Sequence, residues 1–280
     1  MRELSVHVLE KKIEQMCIQA CYVLPQDVCE AMKRAEQEEP WPPAQRVLHT
    51  LRENAAVAVQ EQTPICQDTG MACVFLRIGQ QIYWTEGDLQ QAVEQGVRAG
   101  YANGYLRKSV VADPLRRTNT KDNTPALIYM EIVPGDRVEI TVAPKGFGSE
   151  NMSRLAMLKP SDGVEGVKRF VVETVEQAGS NPCPPIVVGV GIGGSFDRAA
   201  LLAKKALLRP IGTENQDPFY AQMERELLQR INALGIGPQG FGGKTTALAV
   251  HIVPYATHIA GLPVAVNLNC HVCRHVHAVL

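Results

Sequence analysis

The chain has 280 residues, a formal net charge of −1, a hydrophobic fraction of 45% and a charged fraction of 20%, as in an ordinary soluble globular protein. The near-neutral charge gives no electrostatic case for binding nucleic acid or a membrane surface, and no apolar run approaches the roughly 20 residues of a membrane helix. The N-terminus lacks the apolar core of a signal peptide, and eight cysteines are too few for a disulfide scaffold, so we expect a cytoplasmic protein.

The N-terminal region, up to about residue 62, is predicted to be helical. Apolar residues recur near the 3.6-residue helical period at Val8, Leu9, Ile13, Met16, Cys17, Ala20 and Cys21. A second helix is predicted for residues 46–60, and Pro64 marks its end. We interpret Cys17, Cys21 and Cys29 as packing thiols of these helices.

The remainder of the chain alternates between strand and helix patterns. Strands are predicted at residues 73–78, 126–133, 137–143, 186–190, 247–253 and 264–268, and helices at about 88–102, 162–178, 195–208 and 216–234. The turn signal Pro134-Gly135-Asp136 predicts a hairpin between the second and third strands. With no repeat or linker, the sequence predicts an α/β fold: a helical N-terminal region followed by mixed β-sheets flanked by helices, as one compact unit over residues 1–280.

Three cysteines lie far apart in loop-forming segments. They are Cys66 in Pro64-Ile-Cys66-Gln-Asp68-Thr-Gly70, Cys183 between two prolines, and Cys270 after Asn269. Structural cysteines usually pack inside apolar elements, whereas a cysteine among Pro, Gly and polar side chains is better placed to act as a thiolate. Three converging thiolates would hold an iron–sulfur cluster with one iron free of protein ligands, which suits Lewis-acid catalysis.

Two glycine-rich motifs resemble nucleotide-binding sequences without matching them fully. Gly189-Val-Gly-Ile-Gly-Gly194 follows a strand, but no second strand ends in the acidic residue that the dinucleotide fingerprint requires. Gly240-Phe-Gly-Gly-Lys244 has Pro238 where a P-loop has its first glycine, and it precedes a strand rather than a helix. We interpret the second motif as a loop that shapes a pocket.

A C-terminal Cys/His cluster leaves an alternative of another class open. Cys270-His-Val-Cys273-Arg-His275-Val-His277 has zinc-like spacing, although no second Cys-x-x-Cys pair completes a structural site. A non-catalytic zinc-binding interaction protein is therefore the competing interpretation. His258, taken alone, would be a structural histidine by default.

Taken together and in order, the motifs resemble a known family. The segments are Pro64–Gly70 as quoted above, Asn119-Thr-Lys-Asp-Asn123-Thr-Pro125, Lys145-Gly-Phe-Gly148-Ser-Glu-Asn-Met152, Gly189–Gly194, Gly237-Pro-Gln-Gly-Phe-Gly-Gly-Lys244 and Asn269-Cys-His271. They resemble the alpha subunit of class I, iron–sulfur-dependent fumarate hydratases and of the related L-tartrate dehydratases. The resemblance extends over nearly the whole length of the chain.

This resemblance implies a [4Fe–4S] cluster held by Cys66, Cys183 and Cys270. It also implies that Gln67, Arg107 and the backbone of Gly148 contact a small dicarboxylate substrate, and that Asp68 with His258 transfers protons. Cys273 is an additional thiol, so the choice between Cys270 and Cys273 stays open, although the position after Asn269 fits the family better.

The activity implied by the resemblance is that of a hydro-lyase. The expected reaction is the reversible hydration of fumarate to L-malate, and the nearest rival is L-tartrate dehydratase activity, which yields oxaloacetate. Single-chain relatives contain a further domain after the third cysteine motif. We therefore expect a separate beta subunit in an alpha2beta2 assembly, and poor turnover by this chain alone.

Overall fold

A computed structural model describes residues 1–280 and divides the chain into two compact units that interleave along the sequence. The first unit comprises Met1–Pro25, Ala55–Phe147 and Arg274–Leu280, and the second comprises Gln26–Asn54 and Gly148–Cys273. Helices and mixed sheets make up both units, which confirms the predicted α/β class. None of the helices combines the length and hydropathy needed to cross a bilayer.

The first unit is a four-stranded mixed sheet packed against two helices. Its elements are β1 (Arg2–Ser5), α1 (Val6–Tyr22), β2 (Met71–Gly79), β3 (Ile82–Thr85), α4 (Leu89–Asn103), β4 (Leu127–Val133), β5 (Val138–Lys145) and β10 (Val276–Val279), with the C-terminal part of α3 (Pro42–Glu61). The sheet order is β10-β5-β2-β4, and β1 pairs with β3 in a separate parallel ribbon. The core lies between α1, α4 and one face of the sheet.

Helix α1 illustrates how the apolar period produces this core. Its buried residues are Val6, Leu9, Ile13, Met16, Cys17, Ala20 and Cys21, so the predicted spacing holds except at Val8, which is exposed. Ser5 caps the helix, because its side chain accepts a hydrogen bond from His7 N at 3.2 Å. The prediction of a helical N-terminal region is wrong for Arg2–Ser5, which pair with β3 as a strand.

The predicted hairpin around Pro134-Gly135-Asp136 is wrong. Strands β4 and β5 both exist, but β2 lies between them, parallel to β4 and antiparallel to β5. Strand β2 is buried along almost its whole length, and a central position in the sheet covers both of its edges. The local turn signal cannot reveal the insertion of a strand that comes about fifty residues earlier.

The second unit is another four-stranded mixed sheet, in the order β6-β9-β7-β8. Its elements are α2 (Gln26–Glu38), the N-terminal part of α3, α5 (Phe147–Glu150, from Gly148 onward), β6 (Arg154–Leu158), α6 (Gly163–Ala178), β7 (Ile186–Gly194), α7 (Phe196–Ala206), α8 (Pro218–Asn232), β8 (Ala247–Thr257) and β9 (Leu262–Asn269). Helices α6 and α8 cover one face of the sheet, and α7 covers the other.

The glycine-rich run that resembles a dinucleotide motif lies inside β7. A Cβ atom at Gly189 would stand 2.2 Å from Ala203 O, and one at Gly191 would stand 2.1 Å from Ala199 O. These glycines therefore allow α7 to pack directly on the strand backbone, which accounts for their presence without a nucleotide.

Candidate active site

The loop that carries Cys66 connects α3 to β2 in the first unit. Asp68 N donates to Cys66 Sγ at 3.4 Å, and both oxygens of the Asp68 carboxylate accept backbone N–H groups. Gly70 N donates to Oδ1 at 3.0 Å, and Phe147 N donates to Oδ2 at 2.9 Å. The Asp68 side chain is half-buried and its orientation is fixed from both sides.

Gly70 allows this loop to pack on the end of β5. Its backbone has φ +73°, and a Cβ atom there would stand 2.5 Å from the carbonyl of Lys145. Only glycine combines this left-handed conformation with such a close approach. The approach brings the Asp68 carboxylate to Gly146 and Phe147, which follow directly after β5.

Buried side chains hold the backbone carbonyls of the same loop. Tyr101 Oη donates to Thr69 O at 2.7 Å and to Gly70 O at 3.1 Å, and Asn123 Nδ2 donates to Gly70 O at 3.1 Å. Arg274 Nη2 donates to Asp68 O at 2.5 Å. Burial raises the pKa of Tyr101 well above its usual value, so its hydroxyl remains a donor.

Sequence reasoning missed Tyr101, Arg274 and the role of Asn123. Tyr101 lies on the apolar face of α4 and reads as a core residue. Asn123 does lie in a motif that carried the family resemblance, and its Oδ1 accepts from Ser109 N at 2.7 Å and from Val110 N at 3.2 Å. Arg274 is separated from Asp68 by about two hundred residues, so only the fold brings the two together.

Gln67 lies in this loop, and Arg107 lies beside it. Thr69 Oγ1 accepts from Arg107 N at 2.9 Å and donates to Arg107 O at 3.2 Å, so the Arg107 backbone is fixed while its side chain is exposed. Gln67 is exposed, and its Oε1 lies 3.4 Å from Cys66 Sγ. The first unit therefore groups a thiol, a carboxylate and a carboxamide in one loop, with the backbone of Arg107 fixed against it.

Cys183 and Cys270 lie in adjoining segments of the second unit. Cys183 precedes β7 in a left-handed conformation with φ +57° and is exposed, and Cys270 directly follows β9 and is partly exposed. His271 N donates to Cys183 O at 3.3 Å. A backbone hydrogen bond thus joins the segment that carries Cys270 to the segment that carries Cys183.

Accessibility separates the three cysteines from most of the other five. Cys17, Cys21, Cys73 and Cys273 are buried, and none of the eight cysteines forms a disulfide. Burial raises the pKa of Cys17 and of Cys21. Cys29 is exposed on α2, but desolvation of its thiol and the Asp27 carboxylate raise its pKa. The accessible cysteines in loops are therefore Cys66, Cys183 and Cys270.

The structure bears on the choice between Cys270 and Cys273. Cys273 is 3% exposed, and its Sγ lies 3.2 Å from Asn269 Nδ2 and 3.8 Å from Leu207 O. These contacts are those of a thiol packed in the interior. Cys270 is the more accessible of the two.

Gly148 and His258 complete the predicted set, and both belong to the second unit. Gly148 is exposed in the short helix α5. His258 is exposed in the turn between β8 and β9, where its Nδ1 accepts from Ala260 N at 3.2 Å. It lines an open groove of about 540 Å³ together with Ser195, Arg198 and Tyr255.

No group of three or more His, Cys, Asp or Glu side chains is arranged to hold a single metal ion. A structural zinc site requires four ligands around one point, so the zinc interpretation of the C-terminal Cys/His cluster gains no geometric support. Cysteines that bind separate irons of a cluster do not have to meet at one point.

Comparisons with known proteins agree with the motifs. A model of the fumarate hydratase (Fumerase) family matches residues 10–279. The putative L(+)-tartrate dehydratase subunit alpha of Methanocaldococcus jannaschii is 46% identical over 258 residues, covering 90% of each chain. The L(+)-tartrate dehydratase subunit alpha of Escherichia coli strain UTI89 is 37% identical over 251 residues, covering 88% of this chain and 82% of the relative.

Proposed function

The chain belongs to the fumarate hydratase (Fumerase) family and is a hydro-lyase, and on that premise we propose that it is the alpha subunit of an iron–sulfur enzyme that reversibly hydrates fumarate to L-malate. The observation that carries the proposal is the loop Cys66–Gly70, which presents a thiol, a carboxamide and a carboxylate in consecutive residues beside Arg107. The proposed catalytic domain spans residues 1–280.

The proposed cofactor is a [4Fe–4S] cluster with Cys66, Cys183 and Cys270 as ligands. Their accessibility and loop positions support this assignment, as does the N–H group of Asp68 directed at Cys66 Sγ. Backbone N–H donors stabilise thiolate sulfur and tune a cluster. A reducing compartment such as the cytoplasm suits three ligating thiols. The three thiols and the N–H donor of Asp68 therefore fit a [4Fe–4S] cluster.

When bound, such a cluster would supply a Lewis-acidic iron with an open position for the substrate hydroxyl and one carboxylate. In the hydration, the oxygen of water forms a bond to one alkene carbon and a proton is added to the other, with no change in overall oxidation state. Asp68 would transfer a proton at its carboxylate, whose two backbone donors hold it in one orientation.

The remaining predicted residues take supporting roles in this proposal. Arg107 would bind a substrate carboxylate through two parallel N–H bonds, and its fixed backbone limits the conformational entropy lost on binding. Gln67 and the backbone of Gly148 would contact the substrate. His258 would relay a proton with Asp68.

L(+)-tartrate is the second candidate substrate, favoured by the names of the relatives that are 46% and 37% identical to this chain. Its dehydration breaks one C–O and one C–H bond and yields oxaloacetate after the enol rearranges. The same acid–base and carboxylate-binding groups serve both reactions, and one additional hydroxyl is a small difference for a site to sense.

The relatives are named alpha subunits, which supports a separate beta subunit. We propose that this subunit completes the active site in an alpha2beta2 assembly. The test is to purify the chain anaerobically, alone and with its beta subunit, and to compare kcat/KM for fumarate and L(+)-tartrate. We expect substantial turnover only with the partner, and the larger kcat/KM identifies the substrate. A loaded, partnered enzyme that turns over neither dicarboxylate would overturn the proposal.

A further inference from the structure

Gln239 makes contact with both cysteine segments of the second unit. It lies in the 3-10 turn Pro238–Gly240, within the segment Gly237-Pro-Gln-Gly-Phe-Gly-Gly-Lys244 that contributes to the family resemblance. Its backbone N donates to Pro184 O at 2.8 Å, and its side-chain Nε2 donates to the same oxygen at 2.7 Å. Nε2 also lies 3.2 Å from His271 Nδ1. Pro184 follows Cys183 directly, and His271 follows Cys270 directly.

The chemistry of these contacts requires a carboxamide. A side-chain amide nitrogen carries N–H donors, and here one is directed at Pro184 O. The His271 ring nitrogen that lies 3.2 Å from Nε2 also lies 3.1 Å from Cys183 O, so this ring contacts both Gln239 and the Cys183 segment. The donor on Pro184 O fixes which end of the amide is nitrogen. A glutamate at this position would place a carboxylate oxygen against the Pro184 carbonyl oxygen, and both are acceptors.

Both Gln239 and Cys183 hold unfavourable backbone conformations. Gln239 has φ +53° and Cys183 has φ +57°, in the left-handed region that is unfavourable for a non-glycine residue. Such conformations persist when the surroundings over-determine them. The paired hydrogen bonds between Gln239 and Pro184 O, with the His271 N–H bond to Cys183 O, are restraints of this kind.

The loop that carries Gln239 is itself anchored to the interior of the second unit. Glu39 is 4% exposed, and its carboxylate accepts from Lys244 N at 2.9 and 3.0 Å and from Thr245 N at 3.1 Å. Gly237 N donates to Thr246 Oγ1 at 3.1 Å, and Gly242 N donates to Ile236 O at 2.9 Å. Gln239 therefore lies in a loop that hydrogen bonds hold in place.

We propose that Gln239 is a positioning residue that sets the relative placement of Cys183 and Cys270 before and during cluster binding. The inference rests on the proposed function, because it takes these two cysteines as cluster ligands. Residues that orient ligands from outside the first coordination sphere typically change metal affinity by about 10–100-fold when they are replaced. The loss of Gln239 donors should therefore weaken cluster retention more than it weakens the fold.

The test compares iron release from anaerobically loaded wild-type chain, Gln239→Glu and Gln239→Met. Gln239→Met removes both donors without adding charge, so it serves if the glutamate variant fails to fold. Gln229→Glu is the matched control, because it makes the same charge change at an exposed position of α8. The readouts are iron and acid-labile sulfide lost to a chelator over time, and the thermal midpoint of the cluster-free chain.

We expect both Gln239 variants to release iron at least about tenfold faster than wild type, with the cluster-free midpoint close to that of wild type and the control unchanged. Release at the wild-type rate from a loaded Gln239→Met chain would overturn the positioning role and leave the cluster assignment intact. A wild-type chain that takes up neither iron nor sulfide would instead overturn the proposed function, and this inference with it.

Discussion

The loop around Cys66 and the segments around Cys183 and Cys270 are held in place in different ways. Around Cys66, side chains from distant elements bind three successive backbone carbonyls: Arg274 binds that of Asp68, and Tyr101 and Asn123 bind those that follow. Around Cys183 and Cys270, the left-handed backbone of Cys183 is held by the carboxamide of Gln239 and by the His271 N–H bond to Cys183 O. The first region spreads its support over several residues, whereas the second concentrates it in few.

The two regions also differ in their proposed roles, which are catalysis and substrate binding in the first and positioning of cluster ligands in the second. The first region carries the proposed proton-transfer and carboxylate-binding groups, and its redundancy keeps Asp68 oriented. The second region contributes thiols and their spacing. Apart from the ligand Cys66 itself, substitutions in the first region should therefore change rates or stability, and substitutions in the second should change cofactor retention.

The largest effect is expected for Asp68→Asn. An amide cannot transfer a proton as a carboxylate does, and its NH₂ group would oppose one of the two backbone donors, so we expect kcat to fall by about 10²–10⁴ with little change in KM. Steady-state kinetics of the loaded, partnered enzyme measure this. Asp113→Asn is the control, because Asp113 also accepts from backbone N–H groups, those of Leu115 and Arg116. Equal losses in both variants would remove the catalytic role of Asp68.

Acid should weaken the second unit first. His251 is the one buried histidine, 2% exposed, and burial, followed by the positive charge of Arg209, lowers its pKa to about 4. The unfolded chain protonates this histidine near its ordinary pKa of about 6.5. The contribution of His251 to the free energy of unfolding should therefore be constant above about pH 6.5 and fall by about 3 kcal/mol as the pH drops to about 4.

Denaturant unfolding between pH 7 and 4 measures this effect, and His251→Gln supplies the comparison. Without the ionisable ring, the variant should lose less stability over the same pH range. Hydrogen exchange should show that the acid-induced opening begins in the second unit. An identical pH dependence in both proteins would contradict the assignment to His251.

The support of the Cys66 loop can be tested with Asn123→Ala and Tyr101→Phe. Asn123 is fully buried, and its removal leaves two backbone N–H groups and the Gly70 carbonyl short of partners, so we expect a loss of about 2 kcal/mol or more. Tyr101→Phe keeps the ring and removes one hydroxyl, at a cost of about 1 kcal/mol. Both variants should still bind iron, because the remaining contacts hold the loop. Loss of iron in Tyr101→Phe would contradict the conclusion that several side chains share the support of the Cys66 loop.

A modest effect, confined to substrate binding, is expected for Arg107→Lys. Lysine keeps the positive charge and loses the bidentate fork, so KM for the dicarboxylate should rise about tenfold, equivalent to about 1.4 kcal/mol, with kcat less affected. Arg116→Lys, at an exposed position in the first unit, is the control. An unchanged KM would show that Arg107 does not bind the substrate carboxylate.

Much of the fold and site follows from short-range patterns in the sequence. The apolar period of α1 predicts its buried face, and the setting of Cys66, Cys183 and Cys270 predicts accessible thiols in loops. Long-range pairings do not follow. The insertion of β2 between β4 and β5, and the reach of Arg274 to Asp68, depend on segments far apart in the chain. The two units interleave, so no local change in composition marks their boundary.

The central claim is that three named thiols hold an iron–sulfur cluster, and the most direct test is the iron and acid-labile sulfide content of the anaerobically reconstituted chain. We expect about four irons and four sulfides per chain, lost in Cys66→Ser, Cys183→Ser and Cys270→Ser. The controls Cys29→Ser, at an accessible helix thiol, and Cys273→Ser, at a buried one, should retain them. Full retention in any of the first three variants, or zinc without sulfide in the wild-type chain, would contradict the account.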